Sequence, residues 1–158
     1  MATAPAETVS IELHEQPGHL IRRAHQIAVS LFHEKLGREV TPVQYAVLRA
    51  LQDKPGIDQV TLAQEIALDT SSTADVAIRL EAKGLIVREV LPRGQRCLSL
   101  TDEGEALLAR LVPGMNTMCR TMLGDMDPAE QAEFIRLLQK FVRVNDDGRA
   151  AKRMSSRA

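Results

Sequence analysis

The segment from Thr70 to Ile86, TSSTADVAIRLEAKGLI, carries Ser71, Ser72, Asp75 and Arg79 where an ordinary covering helix would carry Glu, Lys and Gln. Short side chains let a helix backbone come close to a polar partner. Hydroxyls and a guanidinium are groups that reach phosphates and base edges in a major groove. Helical spacing puts Thr73, Val76, Ala77 and Leu80 on an inward stripe and leaves Ser71, Asp75, Ile78 and Ala82 outward, with Ser72 and Arg79 alongside. The candidate DNA-contacting residues of this helix are Ser71, Ser72, Thr73, Asp75, Ile78 and Arg79. Thr73 is counted among them for its hydroxyl, although its spacing is that of the inward stripe. Ile78 suits a thymine methyl, and Arg79 suits a phosphate or a guanine. Arg93 and Arg96, in and beside the turn that follows, are suited to the adjacent minor groove or its phosphates.

Other chemistries find less support. His14, His19, His25 and His33 all fall near the N-terminus, with no nucleophile and acid arranged around them. There is no P-loop, no GxGxxG after a strand and no GxSxG, so neither a catalytic residue nor a cofactor is expected. His19, His25 and His33, taken with Glu34, lack the i, i+4 spacing that would face one ion, which leaves a metal sensor as a weak rival. Cys97 and Cys119 belong to no CxxC or Cys/His spacing and are expected to be ordinary reduced thiols. A thiol-based peroxide sensor is a further rival use of these cysteines.

These groups require a scaffold of helices and one hairpin. With 158 residues, 44% of them hydrophobic and only three Phe, one Tyr and no Trp, the chain is expected to pack helices through Leu, Ile, Val, Ala and Met. Residues 1–16 are aperiodic and are expected to form a flexible arm. Pro17-Gly18 opens a helix with Leu20, Ala24, Ile27, Ala28 and Leu31 on one face, ending near Leu36-Gly37. Thr41-Pro42-Val43-Gln44 is a capping box with proline at the first helical position, starting a second helix through Leu51. Asp58 caps a short third helix, and a tight turn at Ala67-Leu68-Asp69 leads into the segment quoted above, which Gly84 terminates. Ile86–Leu91 and Arg96–Leu100 alternate as strands joined by Pro92-Arg93-Gly94-Gln95, a β-hairpin. Thr101-Asp102 opens a long helix whose apolar face runs from Leu107 to Met122 and which Pro113-Gly114 is expected to kink or split. Asp127-Pro128-Ala129-Glu130 starts the last helix, with Phe134, Ile135, Leu138, Phe141 and Val142 on one face. From Asn145 periodicity is lost, and the basic tail of 145–158 is expected to be disordered.

The fold expected is mainly α with a small β-hairpin wing: a winged helix-turn-helix at 41–100, flanked by a helical dimerisation region at 17–37 and 102–144. The net charge of −1 does not itself indicate nucleic acid. From Ser71 to Arg96, however, five Lys/Arg stand against three Asp/Glu, a local net of +2. One such module would bind DNA weakly, so a homodimer on a palindromic operator is expected. A closed intrachain bundle is the other use for the terminal helices, and a winged helix that binds only protein is the other use for the module. No apolar run approaches a membrane span and the N-terminus is not a secretory signal, so no membrane partner and a cytoplasmic location are expected.

TPVQYAVLRAL, VTLAQEIALDTSSTADVAIRLEAKGLIVRE and the closing LSLTDEG resemble the MarR family of bacterial transcription regulators, a resemblance that spans about 130 residues with the flanking helices. It implies a homodimeric, mostly repressing regulator whose effector binds between the dimer region and the DNA-reading lobes. The wing departs from the family's common Asp-x-Arg-Asp-x-Arg: Leu91 and Gly94 stand where acids commonly orient the two arginines. PGHLIRRAHQIAVSLF is similar to the branch controlling aromatic-acid catabolism, whose regulators answer to benzoate-type acids or to thioesters such as p-coumaroyl-CoA. On that helix His19, Arg22, Arg23 and Gln26 share one face at i, i+3, i+4 and i+7. The arginine fork binds two oxygens of a carboxylate or a coenzyme A phosphate, which makes these four the candidate effector-binding residues. A solvated face, or salt bridges across a dimer, is the alternative.

Overall fold

A computed structural model describes residues 11–155, with side chains described through Gly148. After a single 3-10 turn at Leu13–Glu15 the elements are α1 (Pro17–Leu36), α2 (Pro42–Asp53), β1 (Ile57–Asp58), α3 (Gln59–Glu65), α4 (Thr70–Ala82), β2 (Ile86–Val90), β3 (Arg96–Leu100), α5 (Asp102–Leu123) and α6 (Pro128–Ser155). The chain forms two compact units, one running to Met118 and the other starting at Cys119.

Local chemistry explains the starts of α2, α3 and α4. Thr41 Oγ1 accepts from Gln44 N at 3.1 Å, while Gln44 Oε1 accepts from Thr41 N at 3.1 Å, so both halves of the α2 capping box form. Asp58 caps α3 through Thr61 N at 2.9 Å. Asp69, read from sequence only as part of a turn, caps α4 by accepting from Ser72 N at 2.8 Å. The strands form a three-stranded antiparallel sheet in the order β1-β3-β2, with Ile57 opposite Leu98 and Ile86 opposite Leu100. The two-residue β1 is too short for an alternating pattern to announce it.

Leu48, Leu51, Leu62, Leu80 and Leu98 are fully buried and draw α2, α3, α4 and the sheet into one core. Each such side chain contributes about 1.5–3 kcal/mol relative to exposure. α5 packs closely on this unit at Gly114, where an added Cβ would lie 2.5 Å from Lys35 O. Of the two outcomes expected at Pro113-Gly114, the split does not occur: α5 is one helix with Pro113 inside it. Proline removes one backbone donor, and the close seat of Gly114 against the end of α1 holds the helix across that gap.

In the second unit, Asp127 N donates to Glu130 Oε2 and Glu130 N to Asp127 Oδ1, both at 2.9 Å, which starts α6 as the residue pattern implied. The expectation of a disordered tail fails for 145–155, because α6 continues to Ser155. Apolar periodicity ends at Val144, but Ala150, Ala151, Lys152, Arg153 and Met154 are all good helix formers, so helix propensity persists after the reason for a buried face is gone. Residues 156–158 lie outside the described residues. So do residues 1–10 of the expected arm, whose remainder, 11–16, holds the 3-10 turn.

Candidate nucleic-acid interface

The outward face of α4 is open along its length. Ser71, Asp75 and Arg79 are exposed, Ser72 is half-buried, and Ile78 keeps 48% of its surface in solvent. That exposure leaves the Ile78 side chain accessible to a partner laid against α4. Thr73 is the correction to the candidate set. It is fully buried, and its hydroxyl donates to Asp69 O at 2.8 Å, so it fastens the first turn of α4 and does not face outward. Its spacing already placed it on the inward stripe, and burial wins over the hydroxyl.

The wing tip is closed by backbone. Gly94 N donates to Leu91 O and Leu91 N to Gln95 O, both at 2.8 Å. Gly94 has φ +78°, a left-handed conformation that glycine adopts without steric cost. The turn is therefore held by main-chain bonds at the positions where side-chain acids are absent. It presents Arg93 and Arg96 exposed, and like Arg79 they have no side-chain partner among the described residues.

The two other cations of this region are committed within the chain, which the residue count could not reveal. Arg88, on β2, donates through Nε at 2.8 Å and Nη2 at 2.6 Å to Glu81 Oε2 on α4, and this bond holds the Glu81 carboxyl below its ordinary range. Lys83, the C-cap of α4, donates to Glu39 O at 2.5 Å. Subtracting these two from five leaves Arg79, Arg93 and Arg96 as the cations available to a polyanion.

Two capping carboxyls are also held low. At Asp69 the cause is hydrogen bonding from Ser72, the hydroxyl first and the amide second, and at Asp58 it is the same pair of groups on Thr61. A depressed folded pKa contributes stability that is present above the unfolded value, near 3.8 for Asp, and is lost as pH falls through the folded value. The melting temperature is expected to fall as pH drops below about 4. Asp69→Asn, which still caps but does not titrate, should flatten that part of the curve. An identical acid limb in wild type and variant would exclude Asp69 from it.

On α1 the candidate effector residues form two neighbouring pairs, Arg22 Nη2 with His19 Nδ1 at 3.4 Å and Arg23 Nη1 with Gln26 Oε1 at 3.3 Å. None of the four lines the cleft of about 440 Å³ between α2 and α5, whose polar wall is Tyr45, Arg49, Gln52 and Asn116 and whose apolar wall includes Leu108, Val112 and Met115. Tyr45, Arg49 and Gln52 share a helix face at i, i+4 and i+7, a pattern present in TPVQYAVLRALQ but indistinguishable there from ordinary surface. Arg49 Nη1 donates to Gln52 Oε1, and its Nη2 lies 3.5 Å from Asp53. Among the described residues no three His, Cys, Asp or Glu come together to hold a metal ion, and no helix is long and apolar enough to cross a membrane. Cys97 is half-buried on β3 and Cys119 is exposed.

Comparison with known proteins matches residues 40–98 to the MarR family model. The chain is 33% identical over 132 residues to the transcriptional regulator HosA of Escherichia coli O157:H7, covering 82% of this chain and 97% of that one. Among solved structures it resembles the PcaV transcriptional regulator of Streptomyces coelicolor in complex with its natural ligand, at 36% identity and a TM-score of 0.81 over 86% of this chain and 98% of that one. It also resembles Bordetella bronchiseptica BpsR, whose DNA binding is regulated by 6-hydroxynicotinic acid, at 30% identity and a TM-score of 0.78 over 85% and 98%. An open α4 face, a main-chain-closed wing bearing two free arginines and likeness to such regulators over more than four fifths of the chain lead to one assignment: the chain belongs to the MarR family of transcriptional regulators, DNA-binding proteins and not enzymes.

Proposed function

We propose that the protein is a homodimeric repressor that sits on a palindromic operator and is released by a small aromatic acid or its coenzyme A thioester, controlling genes of aromatic-compound degradation. The observation that carries the DNA-reading part is the α4 face of Ser71, Ser72, Asp75, Ile78 and Arg79 together with Arg93 and Arg96 on the wing. The three free cations between Ser71 and Arg96 neutralise few phosphates, and pairing two chains doubles that number. Unpartnered apolar surface supports the pairing. Leu20 and Ile27 on α1 are each 49% exposed, Phe141 on α6 is also 49% exposed, and no described side chain from Cys119 onward is fully buried. Helices with that much open apolar area call for a second layer.

For the effector, Arg22 or Arg23 is the proposed carboxylate anchor, as the geometry of a guanidinium fork suits. The α2–α5 cleft supports a second anchor, Arg49. Its volume lies within the range of small-molecule sites, and a single aromatic ring fills only about 150 Å³. BpsR, a relative that responds to an aromatic acid, adds weight to the class. The mechanism is a population shift in which bound effector favours a spacing of the two α4 helices unsuited to successive major-groove faces.

A thermal-shift screen of benzoate-type acids, 6-hydroxynicotinic acid and p-coumaroyl-CoA, followed by a DNA-release assay on each hit, tests the reading. A hit that raises the melting temperature and frees the DNA is the expected result. Titration of Arg22→Ala/Arg23→Ala and of Arg49→Ala then separates the anchors, the true one losing roughly tenfold or more in effector affinity. A monomer at micromolar concentration would overturn the dimer, and a full screen without a hit would overturn the effector class.

A further inference from the structure

Lys83 is an exposed cation at the C-cap of α4, on the helix assigned to DNA. Its ammonium instead crosses to the corner between α1 and α2, donating to Glu39 O at 2.5 Å and, more weakly, to Gln44 Oε1 at 3.4 Å. That Gln44 oxygen is the same atom that closes the α2 capping box, and Gln44 is buried. Glu39 is tied in a second direction: its carboxylate receives Arg110 of α5, with Nη2 at 3.3 and 3.4 Å from the two oxygens. One residue therefore meets α4 through its carbonyl and α5 through its carboxylate, joining elements 44 and 71 positions away along the chain. Among the described residues no other charged group ties this end of α4 to that corner, since Arg79 has no partner there and Arg88 is spent on Glu81.

We propose that Lys83 is a positioning residue and not a phosphate contact. It hangs the C-terminal end of the DNA-reading helix from the Glu39 corner, and the Glu39–Arg110 pair makes the set of that helix answer to α5. The proposal rests on the DNA-reading role given to α4 above. Because α5 also walls the α2–α5 cleft, the joint gives a ligand in that cleft a short physical route to the recognition surface.

The salt dependence of DNA binding separates positioning from contact, because each lost phosphate contact lowers the slope of log affinity against log salt by about 0.9. Operator duplexes selected by the wild-type protein from a random pool serve as the probe. Lys83→Met is expected to lose roughly tenfold in affinity at constant salt slope, whereas Arg79→Ala lowers the slope. Arg110→Gln is expected to lose about threefold at constant slope, and in combination with Lys83→Met to add less than its separate effect. Hydrogen exchange of the last turn of α4, measured without DNA, should speed up in both single variants. Lys83→Arg, which keeps a donor, should restore most of the affinity, and equal melting temperatures would show that the fold is intact. A Lys83→Met slope reduced as far as that of Arg79→Ala would assign Lys83 to phosphate and overturn the proposal. So would wild-type affinity together with unchanged exchange, or strict additivity of Lys83→Met with Arg110→Gln. If the wild type selects no duplex at all, the DNA-reading role fails, while the exchange measurement still decides whether the joint holds α4.

Discussion

Replacing Arg79 and Arg93 together by alanine should lower operator affinity by about a hundredfold or more at moderate salt and remove roughly three to four units from the salt slope of the proposed dimer. The size follows from how few cations this surface offers. Of the five between Ser71 and Arg96, Lys83 and Arg88 are held inside the chain, so removing Arg79 and Arg93 leaves only Arg96 of the three that are free. A protein with a strongly basic surface would absorb such a loss; one whose net charge is −1 has no surplus to replace it. If Arg79 grips a guanine, its loss also relaxes discrimination at one base pair by about 1–3 kcal/mol, while loss of a phosphate contact weakens all sequences alike. Measuring affinities for the operator and for a scrambled duplex across a salt series distinguishes these two roles. The double variant binding as wild type would remove α4 and the wing from the DNA-reading surface.

What was legible in the chain, and what was not, divides by range. Capping residues act within three positions, so Thr41 with Gln44, Asp58 with Thr61 and Asp127 with Glu130 announce α2, α3 and α6 directly. Spacing likewise separates Ile78, which is exposed, from Ala77 and Leu80, which are fully buried. Thr73 shows where two local rules conflict. Its hydroxyl argues for the surface and its register for the core, and the register prevails because the hydroxyl finds a carbonyl one turn back. Long-range ties leave no such trace. Neither the pairing of Lys83 with Glu39 nor the pairing of β1 with β3 follows from residue types, since each depends on where other elements bring the backbone. The tail failed for a different reason: periodicity reports a buried face, and a helix with no face to bury can still be favoured by propensity. The α2–α5 cleft was illegible because its walls are ordinary helix-surface residues until α5 is laid beside α2.

The largest stability effect is expected at Gly104, in the first turn of α5. An added Cβ there would stand 2.2 Å from Leu85 O and 3.2 Å from Leu100 Cδ2, and the nearer neighbour is backbone, which cannot swing aside as a flexible side chain would. Leu85 O is also the acceptor for Thr101 N at 3.1 Å. The Thr101 hydroxyl in turn donates to Gly84 O at 2.6 Å and accepts from Gly104 N at 3.1 Å. This knot fastens the turn between α4 and β2 to the start of α5, so displacing Leu85 strains the bond from Thr101 as well as the packing. Overpacking and a weakened half-buried hydrogen bond together put the cost of Gly104→Ala at about 3 kcal/mol, or roughly 10 °C in melting temperature for a chain of this size. Gly18→Ala is the matched control. Gly18 lies in the first turn of α1 with nothing within 4 Å of the added Cβ, and alanine there should leave the melting temperature unchanged or raise it slightly, because it restricts the unfolded chain. Thermal unfolding followed by circular dichroism reads both. Equal melting temperatures for Gly104→Ala and Gly18→Ala would mean that α5 does not approach Leu85 as closely as described, and that the recognition helix and wing are anchored to it by some other contact.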